Sequence, residues 1–422
     1  MEQASDMSHS TAQATFDIAI VGGGLVGASL ALALAGTGLS LVVIEAQSPE
    51  SESQPSFDDR TTALGNGSRR VFEALGIWSK LAEEAAPIRR IHVSDAGRFG
   101  FARVEAQQLQ LDALGYVLSN RVLGRELWAA LRATPAVTLR MPAQVRQVQL
   151  AAAGATLEVQ DADGVSMLQA RLVVAADGAQ SLVRRVAGIG AQRDDYAQTA
   201  IVTTLRTDQP LDGTAHERFT TQGPMALLPL RSTQQGNWHG LVWAAAPDEA
   251  VKLLALDDAQ FMQQWQQAFG WRAGAALQLG RRASYPLSLQ QADATVATRA
   301  VLLGNASQAL HPVAGQGFNL GLRDAAELAE VLADAVAEGL DPGSAQVLAR
   351  FEAQRGADRQ GVVRFTDALV RVFSDTRPGV AALRDLGLLA FDLLPAAKQA
   401  LSRVSLGFGT QTPRLTRGQA LR

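Results

Sequence analysis

The chain has no cysteine among its 422 residues. That absence excludes disulfides, thiolate metal centres, iron–sulfur clusters and a cysteine nucleophile, and it fits a reducing compartment. No metal site is expected. A basic excess is missing too: 38 Lys and Arg stand against 41 Asp and Glu, for a net charge of −3. Nothing in that balance holds a phosphate backbone, so nucleic acid is not an expected partner. Lys and Arg are absent before Arg60, which leaves no signal-peptide n-region to expect. Charge of either sign is absent between Asp17 and Glu45, a stretch that hydropathy alone would offer as a membrane span. Gly22, Gly23, Gly24, Gly27, Gly36 and Gly38 break it into strand, turn, helix, turn and strand, so no transmembrane span is expected. Tyrosine is scarce. Tyr116, Tyr196 and Tyr285 are the only three, and their spacing selects none as a substrate contact.

What is present is a globular balance, 47% hydrophobic and 19% charged, long enough for two or three domains. Residues 16–21 read as a buried strand, 26–35 as a helix and 41–44 as a second, β-branched strand, which together make one βαβ unit. Residues 59–75 read as a loop and helix. Residues 120–134 predict a longer helix with Leu123, Leu127, Trp128 and Leu131 on one face. Alternation around the turn at 161–164 predicts a hairpin or meander over 145–174, closed by a strand at 172–176. From 193 to 289, short alternating strands separated by Gly and Pro predict a separate sheet. Residues 300–303 form another apolar strand, followed by a glycine-rich loop and a helix over 320–338, so the first domain resumes there. The expected fold class is α/β: a discontinuous Rossmann-type domain, an inserted mixed or antiparallel β-sheet substrate domain, and a helical C-terminal region. Expected boundaries are 15–90, 116–192 and 296–345 for the Rossmann domain, 91–115 and 193–295 for the substrate sheet, and 346–422 for the helical region, in which 386–394 is strongly apolar.

Three segments carry chemistry. In GGGLVG, Gly22, Gly24 and Gly27 sit between a strand and a helix, where small residues let the backbone approach a pyrophosphate at the helix N-terminus. Glu45 ends the next strand at the separation expected for an acid that accepts ribose hydroxyls; a carboxylate there repels a 2′-phosphate and suits the adenosine of FAD or NAD. In VVAADGAQSLVRR, Asp177 and Gly178 stand where a buried strand meets a turn, although an isolated Asp-Gly pair is more often a simple capped turn. The third segment runs from Gly304 to Glu330. Gly315 and Gly317 permit close backbone approach to a ligand, and the amides of that turn and the following helix favour negative charge beside them.

Together GGGLVG, AADGAQSLVR and HPVAGQGFNLGLRD resemble the single-component FAD-dependent aromatic hydroxylases, and HPVAGQGFN is the form seen in their ubiquinone-biosynthesis branch. FDDRTTALGNGSRRVFEALGIW, HVSDAGRFGF, ERFTTQGPMALLPL and DRQGVVRFTDALVRVF extend that likeness over most of the chain. The resemblance implies that Gly22, Gly24, Gly27 and Glu45 hold the ADP half of FAD and that Arg60 lies near the flavin. It assigns Asp177 and Gly178 to a motif associated with both FAD and NAD(P)H. Gly304 opens the third motif, and Gly315, Gln316, Gly317 and Asn319 would border the isoalloxazine. Asn305 is a departure, since the wider family usually carries Asp there against the ribityl chain. Asn120 and Arg125 lie on the helix that often supplies another cofactor contact.

The implied reaction is the reduction of FAD by transiently bound NAD(P)H, addition of oxygen at flavin C4a, and delivery of an oxygen atom from that hydroperoxide to a polyprenylated methoxyphenol ring. A single GxGxxG pattern leaves no second dinucleotide domain. Such chemistry needs a dry pocket, for which the strand at 225–230 and the HPVAG turn are candidate walls. His311, with Pro312 beside it, is the candidate catalytic pair, His311 as a base that draws the phenol proton; a hydrogen-bonded structural histidine is the competing reading. A water-insoluble substrate implies contact with a membrane, a lipid-carrying partner or a ubiquinone-biosynthesis complex, at a cytoplasmic location peripheral to the inner face of the membrane. Rivals are a sister hydroxylase acting on another ring carbon, a flavin-dependent reductase of prenyl double bonds, and a flavin-bearing structural subunit of a biosynthetic complex.

Overall fold

The computed structural model describes residues 14–51, 54, 60–98, 100–231, 236–312, 315–374 and 412–421. The apolar segment at 386–394 lies outside them, as do Val313 and Ala314 of the HPVAG turn.

Short apolar strands that are buried on both faces pair in parallel, and the centre of the first sheet follows that rule, with Val296–Ala297 antiparallel at its edge. Its main path runs Val296–Ala297, Ala300–Leu302, Gly164–Ala175, Ala14–Val21, Leu41–Ile44 and Val137–Arg140. Ala14–Val21 is parallel to both Gly164–Ala175 and Leu41–Ile44, and Ala300–Leu302 is parallel to Gly164–Ala175. Gln144–Ala151, Gly154–Asp161 and Gly164–Ala175 form the meander that feeds into it. One face is covered by the helices Leu25–Leu34, Asn120–Arg132 and Gln316–Ala337, whose Leu30, Leu34, Leu127 and Leu332 are fully buried. Each such leucine contributes roughly 1.5–3 kcal/mol of burial.

The second sheet is mixed. Its path is Gln308–Ala309, Ala283–Ala292, Ala191–Thr207, Asn237–Ala245, Gly223–Pro229, Thr214–Thr220, Arg90–Asp95 and Phe101–Glu105. Thr214–Thr220 and Arg90–Asp95 run parallel, whereas the other pairings on the path are antiparallel. Pro247–Ala255, through Ala250 and Leu253, and Asp258–Phe269, through Phe261, Trp265 and Phe269, cover one face.

A third, three-stranded sheet was not legible in the sequence. Residues 59–75 read as loop and helix, yet Thr61–Gly65 is a strand paired with Gly115–Ser119, which also pairs with Ala86–Ile88; the helix follows at Asn66–Ala74. TTALG carries little hydrophobic alternation of its own, and its partner lies some fifty residues away, so pairing rather than propensity makes it a strand. Thr61 lies against Gly240 of the second sheet, where a Cβ would come within 2.5 Å of the Thr61 hydroxyl.

Candidate cofactor and substrate site

The first glycine loop is built for close approach. A Cβ at Gly22 would lie 2.3 Å from the Ala176 carbonyl oxygen, and one at Gly27 would lie 2.0 Å from the Gly22 carbonyl oxygen. Gly22 also has φ +100°, a conformation that favours glycine. Helix Leu25–Leu34 begins at Gly24 with no side-chain cap and no acid in its first turn, so its N-terminal amides keep their positive potential. The loop is held from two sides. Trp128 donates its indole N–H to the Gly23 carbonyl at 3.0 Å, and Glu45 Oε2 accepts from the Gly23 amide at 2.6 Å. Glu45 Oε1 accepts from the Gln47 amide, so this buried carboxylate stands at the strand end beside the loop.

The second and third motifs meet the first. Val26 at the start of the first helix would be 3.2 Å from a Cβ at Gly304 and 3.1 Å from one at Gly321, so bare backbone is what lets helix Gln316–Ala337 pack there. The buried Arg184 donates to the Ala306 carbonyl at 2.9 Å and to the Ala179 carbonyl at 2.8 Å, tying the AADG turn to the third motif. Asp177 Oδ2 accepts from the Leu182 amide at 2.8 Å, which is a capping role, whereas Oδ1 is buried with no hydrogen-bond partner. Gly178, at φ +83°, supplies the turn. Helix Gln316–Ala337 also starts uncapped, from Gly315 in a left-handed conformation, with no acid in its first turn. Two bare helix N-termini, glycine contacts that exclude a Cβ, and a carboxylate at the strand end fit a dinucleotide carrying a diphosphate and an electron-accepting ring.

A cavity of about 700 Å³ opens between that turn and the second sheet. Arg60, Thr61, Ala63, Pro312, Gly315 and Gly317 form one wall. At Gly317 a Cβ would meet nothing within 4 Å, so the wall is open to a flat ring. The opposite wall comes from the second sheet. Ala226, Leu228 and Leu230 face the cavity, while Met225 and Leu227 turn into the core behind.

His311 lines the cavity, 1% exposed, with Nε2 3.1 Å from Gln198 Oε1 and its ring edge-on to Tyr196 at 5.2 Å. Burial depresses its pKa to about 4, so the ring is neutral at pH 7 and is hydrogen-bonded into the wall. The Tyr196 hydroxyl donates to Asp367 at 3.1 Å; burial first, and then the Asp367 charge, hold it well above the usual phenol range.

The remaining residues named from sequence are divided. Asn319 does not offer its amide to a ligand. Its Oδ1 accepts from the Gly65 amide and the Ser68 hydroxyl, and its Nδ2 donates to the carbonyls of Ala63 and Gly315. Gln316 is buried and Asn305 is exposed on the turn Gly304–Ala306. Arg125 is not brought to the cavity: its guanidinium is paired with Glu84 at 2.7 Å and Glu126 at 2.8 Å on the surface. Asn120 and Arg121, at the start of the same helix, line the cavity instead, because Arg125 lies one turn further along the axis. Sequence reasoning also missed Trp128 as the brace of the glycine loop, and Arg121, Glu217, Arg281 and Tyr285 as cavity residues. Only the spacing of Trp128 on a buried helical face carried any signal. Among the described residues no cluster could hold a metal ion, and no helix is long and apolar enough to cross a membrane.

A parallel sheet with glycine loops at its strand ends, facing a second sheet across a cavity, is the arrangement of a flavin-binding oxidoreductase. The family model of the FAD binding domain matches residues 15–366. The ubiquinone hydroxylase UbiL of Rhodospirillum rubrum is 40% identical over 96% of this chain and 93% of its own length. The 3-demethoxyubiquinol 3-hydroxylase of Escherichia coli is 35% identical over 93% of this chain and 98% of its own. The solved structure of p-nitrophenol 4-monooxygenase PnpA from Pseudomonas putida shares the fold, with a TM-score of 0.78 at 21% identity, covering 94% of this chain and all of that one. The chain belongs to the FAD-dependent aromatic monooxygenases, in the branch of the ubiquinone-biosynthesis hydroxylases.

Proposed function

We propose that this enzyme hydroxylates the ring of a polyprenylated methoxyphenol on the way to ubiquinone, as a 2-polyprenyl-6-methoxyphenol hydroxylase does. The observation that carries the reading is the cavity itself, with the Gly315 and Gly317 turn on one side and the apolar wall of the second sheet on the other. When bound and reduced by NAD(P)H, FAD supplies the activated dioxygen. The chain's own residues do the rest. Gly22, Gly24, Gly27 and Glu45 hold the ADP half, with the diphosphate at the first helix N-terminus. Gly304, Asn305, Gly315, Gln316 and Gly317 border the ribityl chain and ring, and Asp177 and Gly178 close the near side. Arg60, whose guanidinium lies 5.4 Å from the Tyr285 ring centre, forms the ceiling where ring and substrate meet.

Ala226, Val242 and Val202 exclude water from the reacting face. Ile88, Ile91, Leu228 and Leu230 form an apolar end to the same cavity and give an isoprenoid tail its path. His311 and Pro312 shape the wall beside the ring, with His311 as the neutral group there. The insoluble tail places the enzyme at the cytoplasmic face of a membrane or within a biosynthetic complex.

The likeness to a 3-demethoxyubiquinol 3-hydroxylase favours a second reading, in which another ring carbon of a related intermediate is attacked. Lipid extraction from cells lacking the protein separates the two. Accumulation of 2-polyprenyl-6-methoxyphenol supports the first, and accumulation of a different ring intermediate moves the activity to the second.

A further inference from the structure

One ionisable side chain in the substrate wall has no part in the reading above. Cross-strand register aligns Val93, Glu217, Ala226, Val242, Val202 and Ala283 in a single row across the second sheet. Every member but Glu217 is apolar, and every member but Val93 lines the cavity. The neighbouring His216 packs its ring against Phe269 and His92 and also borders the cavity.

A carboxyl amid small apolar residues costs stability unless something binds it. Among the described residues nothing does: burial is the sole influence acting on Glu217, and it raises the carboxyl to about 8. Of the charged groups around it, Asp95 lies on the adjacent strand and is turned to Arg98 at 3.9 Å, while Arg60, Arg121 and Arg281 share the cavity. The strand Gly223–Pro229 presents no charge, and Phe101–Glu105 presents Ala102 and Val104 opposite Val93 and Ile91.

We propose that Glu217 recognises the substrate's ring hydroxyl, its carboxylate accepting a hydrogen bond from the phenolic O–H and thereby fixing how the ring is turned in the cavity. The proposal rests on the reading that this cavity takes a phenol. It assigns specificity to the sheet rather than to the HPVAG turn.

The test uses purified holoenzyme and two probes, a 2-methoxyphenol carrying a short prenyl chain and its O-methyl ether, with binding read from the flavin's visible spectrum. Wild type should prefer the phenol by about tenfold to a hundredfold, the range of a hydrogen bond to a charged group. That preference should grow between about pH 6 and pH 9, since ionisation turns the carboxyl from a donor and weaker acceptor into a charged acceptor only. Glu217→Leu should erase the preference and Glu217→Gln should flatten its pH dependence, with FAD content and melting temperature reported for both to establish folding. Unchanged preference and pH dependence in both variants overturn the role of Glu217. Equal binding of the two probes by wild type does the same and leaves the function standing, whereas binding of neither removes both.

Discussion

Single atoms decide much of the cofactor loop. A methyl group at Gly27 has to displace the Gly22 carbonyl, which cannot move without disturbing its neighbour Ala176. Gly27→Ala is therefore expected to cut the FAD retained through purification by about tenfold or more while leaving the chain folded, a result read from visible absorbance against protein concentration. Asn319 acts differently. Its four hydrogen bonds join the turn before its own helix to the Thr61–Gly65 strand and to Ser68. Asn319→Ala leaves several of those groups unpaired and should lower stability by roughly 2–4 kcal/mol, checked by chemical denaturation. The glycines were legible because a missing side chain is itself a pattern next to an apolar strand. The work of Asn319 and the placement of Glu217 were not, since both depend on partners set by long-range pairing.

At the scale of elements, helix Gln316–Ala337 is the member on which the rest leans. It packs on the first helix through Gly304 and Gly321, and on Ala345–Ser374 through a buried ion pair, Arg355 to Asp324 at 2.8 Å, both side chains 2% exposed. Asp324 also accepts from Gln308 at 2.8 Å. Removing the arginine leaves the buried Asp324 with only Gln308 and the more distant Arg359, at 4.0 Å, so Arg355→Met should cost about 3 kcal/mol and shift the urea midpoint downward. The central strands of the first sheet and the helices on it could be read directly, because continuous apolar runs and 3.6-residue periodicity are local signals, whereas its edge strands Val137–Arg140 and Val296–Ala297 could not. Thr61–Gly65 could not, and neither could the parallel junction of Thr214–Thr220 with Arg90–Asp95, which no local pattern encodes.

Across the whole molecule, five buried or partly buried groups bear on the pH of greatest stability. His216, His239 and His311 are each held neutral down to about 4, chiefly by burial, against 6.5 when unfolded. Glu217 and Glu327, also through burial, stay protonated up to about 8 and about 7, against 4.5 when unfolded. Between pH 4.5 and 6.5 the unfolded chain binds the three histidine protons while the folded chain binds the two glutamic ones. From these groups stability then rises with pH by ~1.4 kcal/mol per unit. Above pH 6.5 only the glutamic protons differ, the folded state holds more, and stability falls until about pH 8. A melting-temperature maximum near pH 6.5 is the expected outcome, and the double variant Glu217→Gln, Glu327→Gln should flatten its alkaline side.

The flavin-binding sheet draws Ala300–Leu302 against the strand that ends at Ala175, long after Ala14–Val21 and Leu41–Ile44 have been made. A ribosome must therefore add about three hundred residues after the first glycine loop before residues 315–337 emerge to complete the cradle. Until then the nascent chain presents glycine-loop amides with no ring pocket, so flavin capture waits for residues 315–337, and a chain cut before that point keeps the fingerprint and loses the yellow colour.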